Sequence, residues 1–191
     1  MSTKRLDGRD EPVLEPDLPI VDSHMHLFDL PDNRYMLEDY LADAQGGHNV
    51  VASIYCETQA FARKDGPEVM RPLGEVEFAN GVAAMAASGR YGKCLVGAGI
   101  IGHANLSLGS RVGELLDRCM QTAPERYRGV RQVTLDYPDE RPFQFIMTTR
   151  PPAGVLETPG FPLGLAELQK RGLTYDAAVY DTSLPRLIEI V

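Results

Sequence analysis

Five apolar runs rich in β-branched residues, separated by stretches with helical spacing, constrain the fold of this chain more than any other feature. The runs are PIVDSHMHLF, NVVASIYCE, KCLVGAGII, YRGVRQVTL and TYDAAVY. Between the first two, Leu37, Tyr40, Leu41 and Ala44 recur at the period of a helix. The next interval carries two stripes, Phe78, Val82 and Met85 beside Ala79, Ala83 and Ala86. A third helix is expected from a cap at Ser110, with Val112, Leu115, Leu116 and Cys119 facing inward. A fourth, GLAELQKRG, should stop at Gly172. Strands buried on both faces and alternating with amphipathic helices imply right-handed βαβ units and a parallel sheet. The expected class is therefore α/β.

The two longest connectors, residues 58–74 and 136–164, follow the carboxyl ends of the second and fourth strands. Long loops at that end build sites in α/β folds, so both are expected to cover a pocket. Phe143, Phe145, Ile146 and Phe161 make the second too apolar for a solvated linker. The chain has 191 residues, enough for one domain with a real core. Residues 1–18, polar and proline-containing, read as a loose arm leading into a domain at 19–191. A net charge of −8 disfavours nucleic acid and anionic membrane as partners and leaves a small molecule as the expected ligand. Cys56, Cys94 and Cys119 are odd in number and sit among apolar residues, which suits free thiols in a reducing cytoplasm better than a disulfide framework.

Two of the four histidines, His24 and His26, stand one residue apart at the end of the first run. In a strand, alternate side chains share a face, so His24, His26 and Asp22 should point the same way. Two adjacent imidazoles can offer lone pairs to one cation, and Asp22 could accept a hydrogen bond from a ring and fix its tautomer. A pair of hydrogen-bonded core histidines would give the same spacing. Arg131 lies inside a buried run, where a guanidinium needs either an internal carboxylate such as Asp22 or Glu57 or an opening to a cavity. Glu57, at the end of the second strand, is a candidate base or the partner of Arg131. His103 follows the third strand and could line the same mouth. His48 precedes the second strand and should lie at the opposite end, away from chemistry.

The segment IVDSHMHLFD resembles the opening strand of the amidohydrolase superfamily, metal-dependent hydrolases on the (β/α)₈ TIM barrel. KDGPEVMRPLGEVEFANGVAAMAASGRYG, AGIIGHANLSLG, YRGVRQ and GLTYDAAVY, in that order, look like the amidohydrolase-2 branch, which holds lactonases and some decarboxylases. The resemblance implies a metal role for His24 and His26 and a substrate-binding role for Arg131, which would meet a carboxylate or lactone oxygen. It implies a divalent metal, zinc first, although some lactonases of the branch are thought to work without one. Asp181 falls where relatives often carry a histidine after the fifth strand, so the substrate-side role of that position is open.

A complete barrel has eight strands and about 250 residues, against the five runs seen here. Leu184, Leu187, Ile188 and Val191 mark a last helix with no closing cap, so the expectation is a TIM barrel truncated at its carboxyl end. The sheet edges left open would invite a complementing chain or a second copy. The expected function is hydrolysis of a lactone or cyclic ester of a carboxylated small molecule, with little activity from this chain alone. A decarboxylase of the same kind, or a non-catalytic remnant, are the alternatives.

Overall fold

The computed structural model describes residues 13–140, 143 and 150–191. Phe145 and Ile146, expected to order the second connector, lie outside these residues. All five runs are strands: β1 Pro19–Met25, then β4 Asn49–Cys56, β5 Leu95–His103, β6 Tyr127–Val133 and β7 Thr174–Ala178. They form one parallel sheet in the order β1-β4-β5-β6-β7. Sequential neighbours in a parallel sheet require crossovers on one side, and helices supply them: α1 Leu37–Ala44, α2 Leu73–Ala87, α3 Gly113–Thr122 and α4 Gly160–Lys170. A last helix, α5 Leu184–Ile190, follows β7. No helix among the described residues is long and apolar enough to cross a membrane.

Between β1 and α1 the chain makes a small hairpin that the sequence pattern did not show, β2 Phe28–Leu30 paired antiparallel with β3 Asn33–Tyr35. Phe28 stacks on Tyr35 across it, with ring centroids 5.9 Å apart. Helix α1 buries the expected Leu37, Tyr40, Leu41 and Ala44. Helix α2 turns differently from either stripe alone. Its buried face is Val76, Ala79, Val82, Ala83 and Ala86, while Met85 is exposed. Phe78 sits at the margin of that face, stacked on Phe61 at 3.6 Å between centroids. That contact anchors the 58–74 connector on α2.

Helix α3 buries Leu115, Leu116 and Cys119 as expected, but Ser110 does not cap it. The chain enters through 3₁₀ turns at Leu106–Val112, and the capping contact is made at their start, where the Asn105 side chain accepts from the Ser107 amide. Helix α4 begins four residues before the predicted start, at Gly160, because Pro162 falls in its first turn, where a missing N–H costs nothing. Its end is as predicted: Gly172 has φ +64°, a left-handed conformation suited to the residue after a helix. In α5 only Leu187 is buried; Leu184, Ile188 and Val191 are exposed. The three cysteines are free and buried.

Helix α4 packs against the turns after β5 at backbone distance. A Cβ at Gly164 would stand 2.3 Å from the Leu106 carbonyl oxygen. Backbone cannot yield as a side chain does, so Gly164→Ala should destabilise the fold by about 1–3 kcal/mol or more in urea unfolding. Gly81→Ala on α2, where nothing lies within 4 Å, should be neutral or stabilising by up to about 1 kcal/mol. Equal effects at the two positions would contradict the close approach.

Candidate functional site

The carboxyl ends of β1, β4, β5 and β6 bring His24, His26, Glu57, His103 and Arg131 together. Parallel pairing sets the positions: His103 is opposite Arg131 in the β5–β6 register, and Met25 opposite Tyr55 in β1–β4. The histidines lie side by side, His24 in β1 and His26 one residue past its end. Their Nε2 atoms are 3.1 Å apart, with the rings edge to face at 86°. Two nitrogens bound to one tetrahedral zinc at about 2.0–2.1 Å stand about 3.3 Å apart, so this spacing approximates one edge of such a site.

The partners of each ring fix where its lone pair points. His26 Nδ1 lies 2.9 Å from the Cys56 carbonyl oxygen, which can only accept, so Nδ1 carries the hydrogen and Nε2 the lone pair. Burial lowers the pKa of His26, against the backbone hydrogen bond, and so favours the neutral ring that a cation needs. His24 Nε2 lies 3.0 Å from Arg131 Nη1, which can only donate. With both contacts made, the guanidinium engages the His24 lone pair while that of His26 stays free, the two Nε2 atoms standing 3.1 Å apart.

Asp22 has a different role from the expected one. Its Oδ1 accepts from the His24 backbone amide at 3.1 Å and its Oδ2 from the Tyr40 hydroxyl at 3.1 Å. It thus steadies the strand and α1, while the Cys56 carbonyl sets the tautomer of His26. Of the two carboxylates considered for Arg131, Glu57 is the partner. Arg131 Nε donates to Glu57 Oε1 at 2.9 Å, and Arg131 Nη2 donates to the Glu57 carbonyl at 2.6 Å.

Glu57 is almost fully buried, and burial raises its pKa, with Arg131 pulling the other way. Its second oxygen, Oε2, has no hydrogen-bond partner and faces His103 Nδ1, also unpartnered, at 4.0 Å. His103 is therefore no solvated loop residue. It ends β5, and burial lowers its pKa, which keeps the ring neutral.

A cavity of about 320 Å³ opens beside the histidines, lined by Asp22, His24, Met25, His26, Phe28, Tyr35 and Tyr40. The walls come from β1, the hairpin and α1. The 58–74 connector contributes none of them; it lies on α2 instead. The described part of the 136–164 connector does gather at a strand end, past β7. Phe143 meets Tyr180 edge to face at 5.9 Å, Arg150 lies 4.3 Å over Phe143, and the Gly154 amide donates to Asp136 Oδ2 at 2.8 Å. Asp181 is exposed in the turn after β7 and does not line the cavity beside the histidines. His48 is exposed just before β4, at the other end of the sheet.

Sequence reasoning missed the hairpin wall, Tyr40 as a cavity residue, and the Cys56 carbonyl. In the sequence Tyr40 shows only as a core position of α1. Among the described residues, no group of three or more His, Cys, Asp or Glu side chains could hold a metal ion. Among those residues His24 and His26 supply two ring nitrogens, fewer than the three protein ligands of a catalytic zinc site.

No protein-family model matches the chain. Uncharacterized protein y4mH of Sinorhizobium fredii is 28% identical over 196 residues, which is 91% of this chain and 58% of that protein. Among solved structures, an amidohydrolase from Burkholderia multivorans with bound zinc aligns at a TM-score of 0.51 and 23% identity, over 87% of this chain and 51% of its own. The same amidohydrolase with bound HEPES gives a TM-score of 0.50 at 21% identity, over 89% and 52%. The fold is that of a partial (β/α)₈ barrel, its five parallel strands backed by outer helices. The chain spans about half the length of the proteins it matches.

Proposed function

We propose that the chain carries the first part of an amidohydrolase-type hydrolytic site, in which His24 and His26 hold a divalent cation. The observation that supports this most is the pair of Nε2 atoms 3.1 Å apart, with the lone pair of His26 Nε2 left free by the Cys56 carbonyl. The likeness in fold to an amidohydrolase with bound zinc points the same way. A cation held there would polarise a carbonyl oxygen and lower the pKa of a bound water. The remaining ligands are not among the described residues, so little turnover is expected from these residues alone.

Arg131 has Nε and Nη2 committed to Glu57, which leaves Nη1 directed at the His24 side of the site. A fixed guanidinium of this kind suits an anionic substrate oxygen. On this reading the substrate is a lactone or cyclic ester bearing a carboxylate. Decarboxylation of such a compound is the alternative, and acid release against carbon dioxide release separates the two.

The test is zinc titration of the metal-free protein by calorimetry, with His24→Ala and His26→Ala alongside. Saturable binding near one ion per chain is expected, abolished in both variants. No saturable binding, or binding unchanged in the variants, would remove the metal role from the pair.

A further inference from the structure

Glu75 is a buried carboxylate held by neutral hydrogen-bond donors, apart from the histidine pair. It is 1% exposed, in the first turn of α2. Four donors converge on it. Oε1 accepts from the Tyr55 hydroxyl at 2.9 Å, the Thr58 amide at 2.9 Å and the Thr58 hydroxyl at 2.6 Å, and Oε2 accepts from the Gln59 amide at 3.1 Å. Burying an ion this deeply is costly unless its hydrogen bonds are complete, and the amino-terminal end of a helix adds favourable dipoles.

Three of the four donors belong to the two residues that follow Glu57. There the chain turns sharply, and Gln59 takes φ +62°, a left-handed conformation that a glutamine adopts only when its surroundings impose it. The same turn sets the Glu57 carbonyl and carboxylate, which together grip Arg131, whose Nη1 meets His24. We infer that Glu75 is a positioning residue: by clamping the 58–59 turn it holds Glu57, and through Glu57 the guanidinium of Arg131, in line with the histidine pair.

Its bearing on catalysis rests on the hydrolytic reading above, whereas the clamp itself is readable without turnover. The probe is the Nε–H signal of Arg131 in ¹H–¹⁵N spectra of the full chain. That proton is held by Glu57 in the wild type and should exchange slowly. Glu75→Gln keeps the shape of the side chain but puts an amide donor where one of the acceptor oxygens was. It should stay folded by circular dichroism yet lose the protected signal, as Glu57→Gln should too, with exchange at least about tenfold faster. Tyr55→Phe, which removes a donor outside the turn, should keep the signal.

If Glu75→Gln fails to fold, Thr58→Val removes the shortest bond of the clamp, and it should also speed exchange at Arg131. A folded Glu75→Gln protein with wild-type Arg131 protection would overturn the inference, as would unchanged protection in Thr58→Val. Failure of the wild type to bind zinc would instead count against the hydrolytic reading and leave the clamp standing.

Discussion

Arg131→Met should destabilise the fold by about 3–5 kcal/mol at neutral pH, because it strands a buried carboxylate. Glu57 is 1% exposed, and Arg131 Nε pairs with its Oε1 at 2.9 Å. Burial already raises the Glu57 pKa above the ordinary 4.5, and Arg131 is the largest influence holding it down. Without the guanidinium it rises further. A carboxyl whose pKa is higher in the folded than in the unfolded state binds more protons when folded, so its stability contribution falls as pH rises. The penalty in Arg131→Met should therefore be small near pH 4.5 and grow as pH climbs through the folded-state value. Urea unfolding of wild type and variant at pH 5 and pH 8 measures the difference. A penalty that is the same at both values, or larger at the acidic one, would contradict the account of Glu57.

Phe161→Ala should cost about 3–5 kcal/mol, the range for emptying a large aromatic site in a core. Phe161 is 0% exposed, on the first turn of α4, and meets Tyr175 of β7 edge to face at 5.8 Å between centroids. It fastens the helix to the strand that follows it, so the loss includes the packing of the β6–β7 crossover. Leu163, two residues on, is 58% exposed, and Leu163→Ala should change stability by no more than about 0.5 kcal/mol. Chemical denaturation of the two variants decides the matter. A loss under about 1 kcal/mol at Phe161 would mean that the helix is not held by this ring.

The strands were readable because continuous β-branched runs between polar segments have few other solutions, and the inward face of α1 was readable from period alone. The β2–β3 hairpin was not, since its three-residue strands FDL and NRY are too short and too polar to show a period. The start of α4 was hidden for another reason. GFPLG combines the two residues that most often mark loops, yet here the glycines permit backbone contact and the proline occupies a first turn. Met85 illustrates how a stripe can mislead: a helix with apolar residues on several sides does not reveal which of them faces the sheet.

At the site, the spacing of His24 and His26 predicted a shared face correctly, and Arg131 was expected to need a carboxylate. Which carboxylate could not be read, because Asp22 and Glu57 both end near the same rim and only the register separates them. His103 looked like a loop residue because the length of β5 was underestimated. Glu75 resembled any solvated acid at a helix start, and nothing in the local sequence marks it as buried.

Among the described residues, β1 bonds to β4 along one side only, and this marginal strand carries the His24 imidazole and leads directly into His26. Ion capture and the joining of a further β-segment would therefore occur on this strand and the residue that follows it. Thermodynamic reciprocity then applies: to whatever extent an added segment tightens the hold on a cation, the cation tightens the hold on that segment by the same factor.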